Sequence, residues 1–259
     1  MIKDLTMKIP AIKRLITERD MLRDALAKRS GKQDESSYYN EEVIIARVAQ
    51  GEHRKAIGGL WDEIGKLQFE FMVAHGLKPE HKFLDVGCGS LRGGVRFIPY
   101  LNPCNYLGID LNESLIDAGW NKELGISNLQ HRQPRNQLVC LKDFEFNLLN
   151  ERFDFALAVS VFTHLNFNTI RRCLTRLEPV LATGGKFYAT FFEVPKDVDA
   201  ESPYLQLPCK EVTTTSTCDP FHYRFEDFQY AVSNLSMSVH YHGDWNHHRN
   251  QKMLIFEAN

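Results

Sequence analysis

The sequence predicts an α/β protein built on a doubly wound sheet of seven strands. Most strands are expected parallel, with an antiparallel strand at the C-terminal edge and a helical region at the N-terminus. Three observations carry this. Between residues 81 and 193 short apolar runs alternate with helical patterns, which argues for parallel strands covered by helices on both faces. The first such run opens into a glycine-rich turn, "FLDVGCGSLRGG", Phe83 to Gly94. The last two strand-like runs are joined with no helix between them, as an antiparallel pair requires. A chain of 259 residues, 43% hydrophobic and 25% charged, has ample apolar material for one main core.

In order, residues 1–36 form a charged arm and linker. Ile12, Leu15, Leu22 and Leu26 fall near heptad spacing, with Arg19 interrupting the seam. The pattern allows a homodimer through this helix and equally a solvated leader helix; "SGKQDESS" then reads as linker. Residues 37–259 form the main domain. Its helical cap, 37–80, carries Ile57, Leu60, Trp61, Ile64 and Phe71 at helical intervals, with Gly76 placed to end the run. Trp61 fits either a lid over a ligand or the core. The central part, 81–193, offers strands at "KFLDVG", "NYLGID", "QLVCL", "FDFALAV" and "GKFYATFF", and helices near 91–99, 113–120 and 167–180. Residues 194–224, with Pro195, Pro203, Pro208, Pro220 and a "TTTST" run, are too long and irregular for a plain connection and are expected to be a substrate loop. The segment 225–259 supplies a helix near 225–233 and the strand pair "SMSVHYH" and "KMLIFE".

Charge and composition exclude several classes. The net charge of −2 comes from interleaved signs, with no basic stripe, so duplex nucleic acid is not an expected partner. No segment reaches the roughly 20 apolar residues of a membrane span, and Asp4 and Pro10 break any signal-like N-terminus, so the expected location is cytoplasmic. The six cysteines are scattered, without paired spacing, and are expected reduced and structural. Cys209, Cys218, His222, His242 and His247 fit no recurrent ligand spacing, and no metal is expected.

The glycine turn raises the question of its ligand. A dinucleotide fingerprint starting at Gly87 would need a third glycine where Arg92 stands, with Gly93 one position late. No Gly-Lys-Ser or Gly-Lys-Thr follows, so a phosphate-cradling loop is absent. Asp85, just before the turn, would face the charges of a pyrophosphate, whereas it suits a ligand with a cationic amino acid end.

With "LDVGCG", "YLGID", "LKDFEF" and "FDFALAVSVFTHL" in this order, the chain resembles the class I S-adenosylmethionine-dependent methyltransferases. "GCGSLRGG", "SVFTHL", "FYATFFE" and the terminal "GDW…HxRNQ" resemble bacterial members of undefined substrate, associated with surface-polysaccharide or lipid modification. The resemblance implies a Rossmann-like fold and S-adenosyl-L-methionine as cofactor. It implies that Gly87, Cys88 and Gly89, with Asp85, Ser90 and Arg92 beside them, hold the cofactor's amino acid portion; Leu91 departs from the pattern, standing where many members have a third glycine. Asp110 and Leu111 then face the ribose, Asp143 and Phe144 the adenine, and Ser160 the space after the fourth strand.

The implied activity is methyl transfer to oxygen of a small molecule or glycan. His164 is the first candidate base, or else a cap for the following helix; His222 and His247, with His248 next to it, are the other candidates. Arg92 suits a carboxylate through its planar fork, or plain surface exposure. Glu193 suits a substrate hydroxyl, or a solvated strand end. Two alternatives stay open: a non-catalytic cofactor-binding protein of the same fold, and an NAD-dependent oxidoreductase, which Asp110 favours and Asp85 and the late Gly93 oppose.

Overall fold

A computed structural model describes residues 40–209 and 212–259. The arm over 1–36, and with it the dimer contact through the N-terminal helix, lies outside the described residues. The cap forms three pieces, α1 (Glu41–Ala49), α2 (His53–Ala56) and α3 (Trp61–Ala74). The periodicity predicts one helix through Ile57 and Leu60. It is broken there because Gly58, Gly59 and Leu60 take φ of 88°, 65° and 46°, a left-handed run that no helix contains. Tertiary contacts hold that turn: Arg92 donates to the carbonyls of Ile57 and Gly59, and Arg249 to that of Gly58.

The central part follows the expected alternation: β1 (Phe83–Val86), α4 (Gly94–Tyr100), β2 (Tyr106–Asp110), α5 (Glu113–Ala118), β3 (Leu138–Cys140), β4 (Phe153–Ala158), α6 (Phe167–Leu177) and β5 (Leu181–Glu193). The helix expected near 91–99 starts later, since Leu91 at φ 69° still belongs to the turn. α5 continues into a π-helical turn, Gly119–Leu124. Glu123 of that turn is buried and binds His53 at 2.6 Å and both nitrogens of the Arg54 fork at 2.7 Å, which ties the cap to the body.

The loop 194–224 carries a small hairpin, β6 (Tyr204–Leu205) with β7 (Thr213–Thr214), and then β8 (His222–Tyr223), which adds to the end of β5 through Phe192 and His222. After α7 (Phe225–Ala231) come β9 (Met237–Asp244) and β10 (Lys252–Ala258). The sheet order is β3-β2-β1-β4-β5-β10-β9, with β10 antiparallel to both neighbours. The chain's last strand is therefore inserted beside β5 and leaves β9 as the edge.

Strand alternation divides the core into two layers. Leu84 and Val86, Phe187 and Phe191, and Leu254 and Phe256 point to one face, where α6 and α7 pack. Phe83, Tyr188 and Met253 point to the other, against α3 and α4. All six cysteines are free. Among the described residues no helix is long and apolar enough to cross a membrane, and no three potential ligands converge on a metal position.

Phe256 is fully buried on the inserted strand and stacks with Phe187 at 5.6 Å. F256A is expected to cost about 3–5 kcal/mol of unfolding free energy, measured as a lower urea midpoint with an unchanged slope.

Candidate active site

The site begins where β1 ends. Gly87 and Gly89 have φ of 74° and 53°, which turns the chain sharply at the sheet's C-terminal edge. Space matters as much as conformation: a Cβ on Gly87 would sit 2.5 Å from Val161 Cγ2, and one on Gly89 would sit 2.8 Å from Ile57 Cγ2. The amides of Gly87 and Cys88 donate to the Ile109 carbonyl at 2.8 and 2.9 Å. Asp110, ending β2, accepts the Gly89 N–H at 2.8 Å through Oδ2 and the Asn112 N–H at 2.9 Å through Oδ1. One carboxylate thus fixes both the glycine turn and the entry to α5.

Against this turn lies a cavity of ≈ 400 Å³, a volume within the usual range for small-ligand sites. Its wall takes Asp85, Gly87, Cys88, Gly89 and Arg92 from the end of β1 and the turn after it, Asp110 and Leu111 from the end of β2, Asp143 and Phe144 from beyond β3, and Ser160 and His164 from beyond β4, side by side in the sheet order β3-β2-β1-β4. Asp143 and Phe144 both hold positive φ, 54° and 57°, and Arg172 pairs with Asp143 at 3.0 Å. Ser160, at φ 61°, is held by its amide to Thr190 Oγ1 at 2.7 Å and by its hydroxyl to Gln251 Oε1 at 3.1 Å. Thr190 donates to the same Gln251 oxygen at 2.7 Å, so β5 and β10 together position the turn after β4.

Burial governs the electrostatics. Burial pushes Asp85 up to about 6, although the Tyr106 hydroxyl, donating at 2.7 Å, and Arg92 both act to lower it; Asp110 adds to the rise. Asp110 is raised by burial as well, offset by the N–H groups of Asn112 and Gly89. Burial drives the Cys88 thiol well above its ordinary range and leaves it unreactive. A buried, anionic acceptor at Asp85 is suited to a cationic partner and disfavours a phosphate.

His164 Nδ1 lies 2.5 Å from Asp219 Oδ1. Asp219 comes from the loop 194–224, which is pinned beside His164 by the Phe221 N–H donating to the Thr163 carbonyl at 2.8 Å. The remaining candidates are not brought to the cavity wall. His222 is buried and both ring nitrogens are used inside the loop, with Thr214 Oγ1 and the Ala200 carbonyl, each at 2.9 Å. His247 is buried against Trp245 and accepts the Arg249 N–H at 3.2 Å. Burial first, and then Arg92 and Arg249, push it down to about 3, so it stays neutral and structural. His248 is exposed and Glu193 accepts the Tyr241 hydroxyl away from the cavity. Ser90 lies fully buried behind the turn, donating to the His53 carbonyl. Trp61 sits under the Arg54 guanidinium at 4.5 Å, part of the cap's anchorage.

Three participants escaped the sequence reading. Asp219 had no signal, being one acid in an aperiodic loop. Asn112 lines the cavity beside the ribose-type acid. Gln68 did leave a trace: it stands between Ile64 and Met72 at four-residue steps, a polar residue within the apolar stripe of α3.

Comparison with known proteins accords with this geometry. A family model described as a methyltransferase domain matches residues 84–187, the stretch from β1 into β5. Residues 84–187 are thus similar to a methyltransferase domain. A methyltransferase of uncharacterised role from Bacillus subtilis (strain 168), YcgJ, is 23% identical over 122 residues, covering 46% of this chain. The chain matches about 44% of that relative's length. Among solved structures, magnesium protoporphyrin IX methyltransferase from Synechocystis PCC 6803 with bound S-adenosylmethionine has a TM-score of 0.53 at 13% identity, covering 76% of this chain and 81% of that one. An O-methyltransferase family protein from Burkholderia thailandensis has a TM-score of 0.60 at 13% identity, covering 85% of this chain and 63% of that one. At such identities the likeness is one of fold. The cradle observed here has features that fit S-adenosylmethionine, the ligand bound in the Synechocystis enzyme: two glycines with no room for a Cβ and a buried acid for a cation.

The raised Asp85 sets a pH dependence. Below about pH 3, Asp85 is mostly neutral both folded and unfolded; as pH rises through about 6 the folded protein must hold a buried charge. D85N is therefore expected to match the wild type near pH 3 and to exceed its stability by roughly 2–3 kcal/mol near pH 8, seen in ligand-free calorimetry as a higher Tm at the upper pH alone.

Proposed function

We propose that the protein methylates a hydroxyl oxygen of a small molecule or glycan, using S-adenosylmethionine, with His164 as general base. The His164–Asp219 pair on the cavity wall carries this reading. A carboxylate only accepts, so Asp219 holds the neutral imidazole with its proton on Nδ1 and the basic lone pair on Nε2. Nε2 is then the atom that removes the acceptor's proton, while Asp219 orients the ring and stabilises the imidazolium that forms. The cofactor, when bound, supplies a methyl group on a positively charged sulfur. The chain's contribution is otherwise positional: Asp85 and the Gly87–Gly89 turn hold the amino acid portion, Asp110 accepts from the ribose, and Phe144 lies against the base.

Loop 194–224 shapes the acceptor side in this reading, because it delivers Asp219 and is fastened to Thr163. An NAD-dependent oxidoreductase has the family match against it, as well as Asp85 in the place where a pyrophosphate would lie.

S-adenosylhomocysteine is expected to raise the Tm of the full chain. H164A should lower kcat on a responsive hydroxyl acceptor by about 10²–10⁴-fold and leave the calorimetric Kd for S-adenosylhomocysteine within about threefold, with D219N falling in the same direction. Turnover by H164A at the wild-type rate would remove the histidine from the chemistry; cofactor binding with no turnover across hydroxyl acceptors would favour the non-catalytic alternative.

A further inference from the structure

Among the residues that line the cavity, Gln68 alone comes from α3, and it is only 5% exposed. Among the described residues its amide makes no hydrogen bond, and it lines the cavity. An apolar residue would suit packing at this position between Ile64 and Met72 better, so the amide is placed there for what enters the cavity. The surroundings are also shaped for it. A Cβ on Gly93 would lie 2.4 Å from Gln68 Nε2, and one on Gly65 would lie 2.8 Å from the Arg92 carbonyl oxygen. Gly93 has an ordinary φ of −81°, so its missing side chain is a matter of room, not conformation. The glycine that arrives one position late for a dinucleotide fingerprint is the one that makes space for this amide.

The polar groups of the wall are unevenly placed. Asp85 and Arg92, close enough to act on each other's charge, stand with Gln68 at the Gly93 end. Leu141 and Phe144, which follow β3, give that side its apolar character, and Asp110 at the end of β2 lies between β3 and β1 in the sheet. A ligand that is zwitterionic at one end, hydroxylated in the middle and flat at the other matches this order.

We infer that Gln68 recognises the α-amino acid end of the cofactor, donating from Nε2 to its carboxylate, and so makes α3 a wall of the cofactor site. This rests on the proposed S-adenosylmethionine site. The methionine portion then sits between two parts of the chain: Asp85 and the glycine turn from the matched domain, and an amide from the cap outside it. Binding of an amino acid-bearing ligand is thereby linked to docking of α3, whose leading turn Arg92 and Arg249 already grip.

The test compares two ligands by calorimetry on the full chain: S-adenosylhomocysteine, and 5′-methylthioadenosine, which keeps the adenosine and thioether but lacks the amino acid end. Q68L is expected to weaken S-adenosylhomocysteine by about tenfold or more while changing methylthioadenosine by less than about twofold. Q68E should weaken S-adenosylhomocysteine further, through repulsion of its carboxylate. Ligand-free Q68L and Q68M should melt no lower than the wild type, since neither removes a hydrogen bond to a described residue. Equal loss of both ligands in Q68L and Q68M would overturn the inference in favour of a packing role, and so would unchanged S-adenosylhomocysteine binding. A wild type that binds neither ligand would sink the cofactor reading itself, and this inference with it.

Discussion

The Asp110 carboxylate is the contact on which the rest of the site depends. It is supplied by the end of β2, and it holds the Gly89 amide of the neighbouring turn. The pairing of β1 with β2, Val86 beside Ile109, delivers the two within reach. A turn with two left-handed glycines would otherwise have many conformations open to it, since glycine has the largest backbone freedom to lose. Here that freedom is restricted by the Asp110 carboxylate together with the Ile109 carbonyl, and the same carboxylate lines the cavity.

Around that contact the chain closes from two directions. From the N-terminal side, Ile57 covers Gly89 and Gln68 covers Gly93, both at distances that forbid a side chain on the glycine. The cap stays in place through the Glu123 cluster and the arginine grip on the Gly58–Leu60 turn. From the C-terminal side, Val161 meets Gly87 and the loop 194–224 sets Asp219 against His164. Close packing of this kind tolerates little motion of one part without the others. It explains why a cavity centred on the stretch 84–187 is completed by residues on both sides of it.

Two kinds of histidine emerge from the same short list. His222 and His247 are buried, the first spending both ring nitrogens and the second its Nδ1 on the chain itself. His164 is held by a carboxylate at a cavity wall, the arrangement that selects one tautomer and leaves the other nitrogen basic. Residue type alone could not separate them, because the distinction lies in what each ring touches.

The sequence by itself determined the order of strands and helices, since apolar periodicity follows from which faces are buried. It also determined the glycine turn: Gly87, Gly89, Asp85 and Asp110 are local to strand ends, and their spacing encodes their geometry. What only the tertiary structure decided involves partners far apart in the chain. Leu60 leaves the helix that its neighbours' spacing predicts because arginines from Arg92 and Arg249 fix the turn before it. β10 enters the sheet between β5 and β9, a choice of neighbour that alternation cannot express. Asp219 meets His164 across 55 residues, and Gln68 meets Gly93 across a helix packing contact. Periodicity records which face of an element is buried, and pairing across the fold depends on how those faces come together in space.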